Sequence, residues 1–546
     1  RQTRYHFTPE DYAVSDVVRN YTGSGGRMQG GPSARVRGGC VQRMIVLCAM
    51  ALLVALWMTR NSHDPGEFIP AGMRYNVVLT DPVNGLERIA QSNVWNAWPD
   101  VKSREAILLR LREDPGVPRW MLNNLLTQRL YLAGDDVRDY SDVLAITQMS
   151  RIGTLLERFL PFSADVTKDR AGGLNLRHAT SSDMYYAVRG RVLIISKQRD
   201  VLVRALTLRE EDALTVEERD NLEQEGAEDV RGTVQLAADD PLGDAFSSVA
   251  FAIRIDNDSA YAKCHAIIHD AARERFGTLL NGAKPYALEH PLPGMIELSA
   301  SFGKPLREVW ASLGEAMQSS WLNAAQWQAW ETLPADSAPT MAQTITNMIG
   351  PLGPSIRLTC AGFDLNEMFP VPIVVGTLRI PANAVPNLSA LPPPPADAKP
   401  WDSFARYNAD KQLASIPLAG GPSLEPAAKI AGRDLVIGTS RLAVEKIANE
   451  KPASAELPEH ANLFVRVNPA QVVREGTSAL RLFAEMDMLR GYDLQSVDEA
   501  AKGWETSAAR VQEVVLIASG TDEALDVELR VLCNTPSAAP LAEAAP

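Results

Sequence analysis

Three residues with metal-binding chemistry fall within six positions: Cys264, His265 and His269. Read as one helix over Ser259–Asp270, the stretch puts His265 and His269 at i and i+4, a spacing at which two imidazoles can reach one ion. Asp270 or a distant carboxylate would have to supply a third ligand. The stretch reads His-Ala-Ile-Ile-His, with no Glu directly after His265, so the zinc-protease pattern is not met. Ser301-Phe-Gly-Lys304 has the Ser-x-x-Lys spacing in which a lysine can take the serine proton, but neither Ser-Asp-Asn nor Lys-Thr-Gly follows. No Gly-x-Ser-x-Gly elbow, phosphate-binding loop or dinucleotide fingerprint occurs. The adjacent acids Glu210-Glu211 and Asp239-Asp240 read as solvated surface. The expectation is no catalytic, cofactor-binding or metal-binding residue, no cofactor, and no enzyme.

The elements around these residues recur in a fixed order. Strand-like Val77–Leu79 leads through Asp81-Pro82 into a helical pattern, and Phe464–Val467 leads through Asn468-Pro469 into another. Asp or Asn at the strand exit suits an N-cap, and Pro suits the first turn. Phe251–Ile255 followed by Asp256-Asn257-Asp258 reads the same way, and Thr377–Ile380 opens a shorter, Pro-limited version. More sharply, Gly190-Arg-Val-Leu-Ile-Ile-Ser-Lys-Gln-Arg199 aligns without a gap on Gly432-Arg-Asp-Leu-Val-Ile-Gly-Thr-Ser-Arg441. Each Gly marks a hairpin turn, and each stretch runs on into a helix. Met295–Phe302 and Ser355–Phe363 read as closing strands of one half. Val514–Ser519 and Leu525–Leu532 close the other across Gly520. Recurrence in fixed order indicates duplication.

Charge divides the chain. Residues 1–43 hold seven Arg against three acids, +4, which leaves −17 of the total −13 for the remainder. An acidic body argues against nucleic-acid binding, which needs clustered cations. Met44–Met58 is uncharged and apolar on every face, between Arg43 and Arg60. With a basic flank before it, this run is read as a membrane anchor with the tail inside. Of five Cys, two (Cys40, Cys48) lie in or beside the run; Cys264, Cys360 and Cys533 allow at most one long-range bridge. Trp310, Trp321, Trp327 and Trp330 cluster in one helical insertion and read as core packing ahead of a partner surface.

The expected fold class is α+β: one N-terminal transmembrane helix plus a duplicated extracytoplasmic domain of antiparallel sheets with packed helices. The divisions are 1–43 (basic cytoplasmic tail), 44–59 (anchor), 60–72 (linker), 73–365 (first half with helical insertions), 366–535 (second half) and 536–546 (disordered tail). Through Val77-Val-Leu-Thr-Asp-Pro82 with Leu86, and through Tyr186–Ser196 with its echo at Gly432, residues 73–533 resemble an uncharacterised family of bacterial membrane-anchored envelope proteins. The resemblance implies an anchored, single-pass protein of the inner membrane with a duplicated periplasmic domain, and supplies no site residues. The expected function is a structural, scaffolding or partner-binding module of the envelope, with membrane and protein partners. The alternatives are a ligand-binding module with its site between the halves, or a metal-dependent hydrolase.

Overall fold

The computed structural model describes residues 63–97, 119–137, 141–159, 166–171, 173–180, 182–223, 228–240, 242–280, 294–304, 355–365, 370–380, 388, 406–416, 422–449 and 461–534. All lie in the compact unit Thr59–Pro546. The expected anchor at 44–59, the basic tail, Cys40, Cys48, the Trp-rich insertion, the Pro-rich run at 386–400 (Leu388 apart) and the tail 536–546 fall outside the described residues.

The described residues hold twenty strands. The first ten are β1 (Tyr75–Thr80), β2 (Arg129–Gly134), β3 (Leu144–Gln148), β4 (Val166–Ala171), β5 (Leu174–Ala179), β6 (Met184–Arg189), β7 (Val192–Ser196), β8 (Val230–Gln235), β9 (Phe246–Ile255) and β10 (Ser259–Ile268). The next ten are β11 (Ile296–Ser301), β12 (Ser355–Asp364), β13 (Val371–Arg379), β14 (Arg406–Asn408), β15 (Leu413–Ser415), β16 (Ala427–Ala431), β17 (Asp434–Gly438), β18 (Leu463–Val467), β19 (Val511–Gly520) and β20 (Ala524–Cys533).

All pairings are antiparallel, and together they make one continuous sheet. Its order is β4-β5-β6-β7-β3-β2-β1-β8-β9-β10-β20-β19-β18-β11-β12-β13-β17-β16-β15-β14. Read inward from either end, the two halves have the same order, each strand of the second numbered ten above its counterpart. The registers agree as well. Asn76 opposite Thr233 corresponds to Glu297 opposite Arg466, and Ile146 opposite Tyr131 corresponds to Thr377 opposite Arg357. The repeats are therefore β1–β10 and β11–β20, meeting at the β10–β20 seam. The boundary at 365/366 read from the sequence falls between β12 and β13, because Met295–Phe302 and Ser355–Phe363 open the second repeat instead of closing the first.

Two corrections to the sequence expectations follow. The fold is not a set of separate sheets. Ser259–Ile268, expected as a helix, is strand β10, and it is the strand that fuses the halves. Its sequence alternates Tyr261, Lys263 and His265 on one face with Ala262, Cys264 and Ala266 on the other, a period of two. The second correction concerns the membrane. Among the described residues no helix is long and apolar enough to cross a membrane, which overturns the expected single-pass, inner-membrane placement. The segment 44–59 on which that placement rests lies outside the described residues. As a helix its sixteen residues would reach roughly 24 Å, short of the ~30 Å hydrocarbon core.

The described residues hold ten α-helices: α1 (Pro82–Gln91), α2 (Asn93–Asn96), α3 (Arg119–Leu125), α4 (Arg151–Phe159), α5 (Arg199–Leu206), α6 (Val216–Glu223), α7 (Arg273–Leu280), α8 (Arg441–Asn449), α9 (Pro469–Glu485) and α10 (Leu494–Ala508). The hairpins read around Gly190 and Gly432 form, with φ of 60° and 62°, and lead into α5 and α8. The apolar face of each of these helices covers its own repeat. Leu202 and Ala205 of α5 correspond to Val444 and Ile447 of α8, and all four are buried. Asn468 caps α9 through its side chain, as its position predicts. Asp81, at φ 45°, makes no such cap and takes the Asn84 amide instead.

One face of the sheet carries the main core. Val78, Tyr131, Ile146 and Ile194 line up across β1, β2, β3 and β7 beneath α5 and α6. Burial of such side chains contributes about 1.5–3 kcal/mol each. The same positions in the second repeat hold Ser299, Arg357, Thr377 and Val436. The backbone ladder is the same in both repeats, and the chemistry on it differs.

Candidate functional site

The seam strands carry a row of charged and polar side chains on the core-bearing face. His265 lies opposite Asp526, Lys263 opposite Glu528, and Tyr261 opposite Arg530. The His265 ring nitrogen Nδ1 is 2.7 Å from Asp526. The Arg530 guanidinium sits 5.8 Å from the centre of the Tyr261 ring and also contacts Glu528. Lys263 therefore does not pair with the carboxylate opposite it. Its ammonium lies 5.2 Å from the Tyr261 ring centre. A hydrogen bond to Tyr261 holds the Lys263 pKa above its ordinary value, with the nearby Glu528 charge adding to it.

Beside this row a groove of about 800 Å³ opens between the sheet face and α6. Its floor forms because β9 presents only Ala250 and Ala252 there. In register, Thr233, Ala250 and His265 make one row, and Arg231, Ala252 and Lys263 make the next. Met73, Leu214 and Leu222 form the apolar wall, continuous with the core. Ile517 and Ser519 of β19 and Asp526 and Glu528 of β20 reach it from the second repeat. The groove is therefore built by both repeats.

Asn76 of β1 also lines it. It is only 9% exposed, and its Oδ1 is buried without a hydrogen-bond partner among the described residues. Such an acceptor is costly, about 1–3 kcal/mol, unless something bonds to it. Most other polar groups here are engaged. Arg231 bonds Glu228 at 3.0 Å and the Asn221 carbonyl at 3.2 Å, and Glu218 receives the Thr215 amide and hydroxyl at 2.8 Å.

The second repeat differs at the matching positions. The counterparts of Ala250 and Ala252 are Val515 and Ile517, and the counterpart of Arg231 is Phe464. Larger side chains stand where the first repeat has its floor. In place of Asn76 stands Glu297, buried and paired with Arg357 at 3.1 Å and Arg466 at 3.0 Å. Burial lowers the Arg357 pKa, although Glu297 works against that. Among the described residues Glu297 Oε1, Ser299 Oγ, and Arg357 Nε and Nη1 have no hydrogen-bond partner.

The residues singled out in the sequence come out differently. His265 and His269 lie along a strand and its exit, not on one helix face. Four residues of strand span roughly 13 Å, too far for one ion. His269 instead accepts the Ala271 amide at 3.3 Å. Among the described residues no three His, Cys, Asp or Glu side chains converge as a metal site. Ser301 Oγ meets Ser355 Oγ at 3.1 Å. Cys264, Cys360 and Cys533 are free thiols, and burial raises the pKa of each. The sequence reading missed Asn76, Ala250, Ala252 and Lys263. The one available signal was the unbroken alternation of β10.

No family model and no curated protein matches the chain. Among solved structures, crystal form I of TP0453 is 12% identical over 38% of this chain and 81% of that one, with a TM-score of 0.24. Crystal form III is 10% identical over 42% and 91%, also at 0.24. Likeness at that level carries no argument about function.

Proposed function

We propose that the protein is a non-catalytic binding module that holds a small ligand in the groove at the seam between its repeats. The observation that carries this reading is the buried Oδ1 of Asn76, without a hydrogen-bond partner among the described residues and facing a groove floored by Ala250 and Ala252. Small-molecule sites have this character: a concave, partly apolar wall of roughly 300–1,000 Å³ with a few fixed polar groups. Divergence between the repeats supports the same reading. One copy keeps small side chains and an open acceptor where the other has filled the space.

The test is a thermal-shift screen of the chain against a mixed library of small acids, amines and polyols. Ala250→Trp fills the floor from a half-buried sheet position. Hits on the wild type that vanish in Ala250→Trp support the groove. A library without hits, or hits indifferent to Ala250→Trp, overturns it.

A further inference from the structure

Within that groove the geometry points to one ligand class. We infer that it takes a small organic acid that also carries a hydrogen-bond donor. Its carboxylate lies over Ala252 between Lys263 and Arg231, and its donor reaches Asn76 Oδ1. The inference rests on the groove being a binding site and goes further by naming the chemistry.

Three observations carry it. The first is Lys263. Directly opposite Glu528 in register, it makes no ion pair among the described residues, because Glu528 turns to Arg530. Its charge stays available at the rim of the groove. The second is the row Arg231, Ala252, Lys263. Two cations flank one methyl side chain, their backbones two strand spacings apart, roughly 9.6 Å. That gap accommodates a carboxylate that Lys263 pairs with, while Arg231, which already holds Glu228, borders the far side, and no acidic side chain stands between them in the row. The third is Asn76 Oδ1, which accepts and cannot donate. It lies in the neighbouring row, Asn76, Thr233, Ala250, His265, two residues along the strands and two strands across from Ala252, roughly 12 Å between backbones, a gap that the side chain and the ligand bridge together. A ligand that satisfies both rows needs an anion at one end and an N–H or O–H at the other. Met73, Leu214 and Leu222 offer an apolar wall to the carbon chain between them.

Calorimetric titration with three probes tests this. The probe ε-aminocaproate carries both ends, caproate lacks the donor, and ε-aminocaproamide lacks the acid. The expected result is that ε-aminocaproate binds roughly tenfold more tightly than either of the others. Lys263→Met should erase the preference for acid over amide. Asn76→Leu should erase the preference for ε-aminocaproate over caproate while keeping that for acid over amide. Equal affinity for acid and amide, an acid preference that survives Lys263→Met, or no binding of ε-aminocaproate overturns the inference. Each leaves the Ala250→Trp comparison to judge the groove independently, so the two readings fail separately.

Discussion

Lys263 and Glu528 occupy the same position in the two repeats and lie directly opposite each other across the seam. They mark the local two-fold axis of the sheet. At such an axis a residue faces its own counterpart, so identical copies would put like charge against like charge. The two strands carry opposite signs there. The flanking positions also pair unlike residues, His265 against Asp526 and Tyr261 against Arg530.

The first prediction follows from this axis. Lys263→Glu places two carboxylates opposite each other and should lower stability by about 0.5–1 kcal/mol. Adding Glu528→Lys should restore most of it. Urea denaturation of the two variants and the wild type measures the coupling. A double variant no more stable than Lys263→Glu would show that the register carries no charge preference.

The second concerns the repeated hairpins. Gly190 and Gly432 both adopt a left-handed backbone, which costs an L-residue roughly 1–2 kcal/mol. Gly190→Ala and Gly432→Ala should each destabilise by about that amount. Their losses should add, because the turns are far apart in the sheet. Calorimetric melting of both single variants and the double checks this.

How far the sequence disclosed the fold is clearest at these hairpins. The alignment of Gly190 with Gly432 is the same correspondence that the strand registers give, since turn and helix start are written locally. The seam was not read. Asp256-Asn257-Asp258 mimics a helix start, yet the Asp256 amide bonds the Ser259 carbonyl at 2.8 Å and closes a hairpin. The unequal lengths of the copies hid the boundary, because the residues between β11 and β12 outnumber those between β1 and β2. The site was not legible for a different reason. Ala250, Ala252 and Asn76 are unremarkable by type, and only cross-strand register, a long-range property, gives them a common surface.

The third prediction concerns the buried ion pair of the second repeat. Glu297→Leu leaves the Arg357 guanidinium without its carboxylate in a buried site and should cost about 3–5 kcal/mol. The double variant Glu297→Leu/Arg357→Met should recover most of that, because two apolar side chains avoid the desolvation of both charges. Chemical denaturation separates the cases. Equal loss in single and double variants would mean that the carboxylate contributes packing more than charge compensation.

The fourth is a pH dependence. Glu157 of α4 is buried against Arg177. Burial raises its pKa from the usual 4.5, and Arg177 only partly offsets this. A carboxyl whose folded pKa is raised holds its proton more tightly in the folded state than in the unfolded one. Stability should therefore fall as pH rises through the window above 4.5, and the favourable contribution is complete only below it. Glu157→Gln should flatten that slope. Melting temperatures of both proteins across the acidic to neutral range provide the measurement. Parallel curves would exclude Glu157 as the source.

The opposite charges at the axis also bear on assembly. A lone first repeat would expose the β10 edge, and two such copies meeting there would set Lys263 against Lys263. Two copies of the second repeat would set Glu528 against Glu528. Only the unlike pair is electrostatically matched at the centre. The seam thus encodes selective recognition of one half by the other, the logic of a split protein whose fragments complement each other and reject themselves.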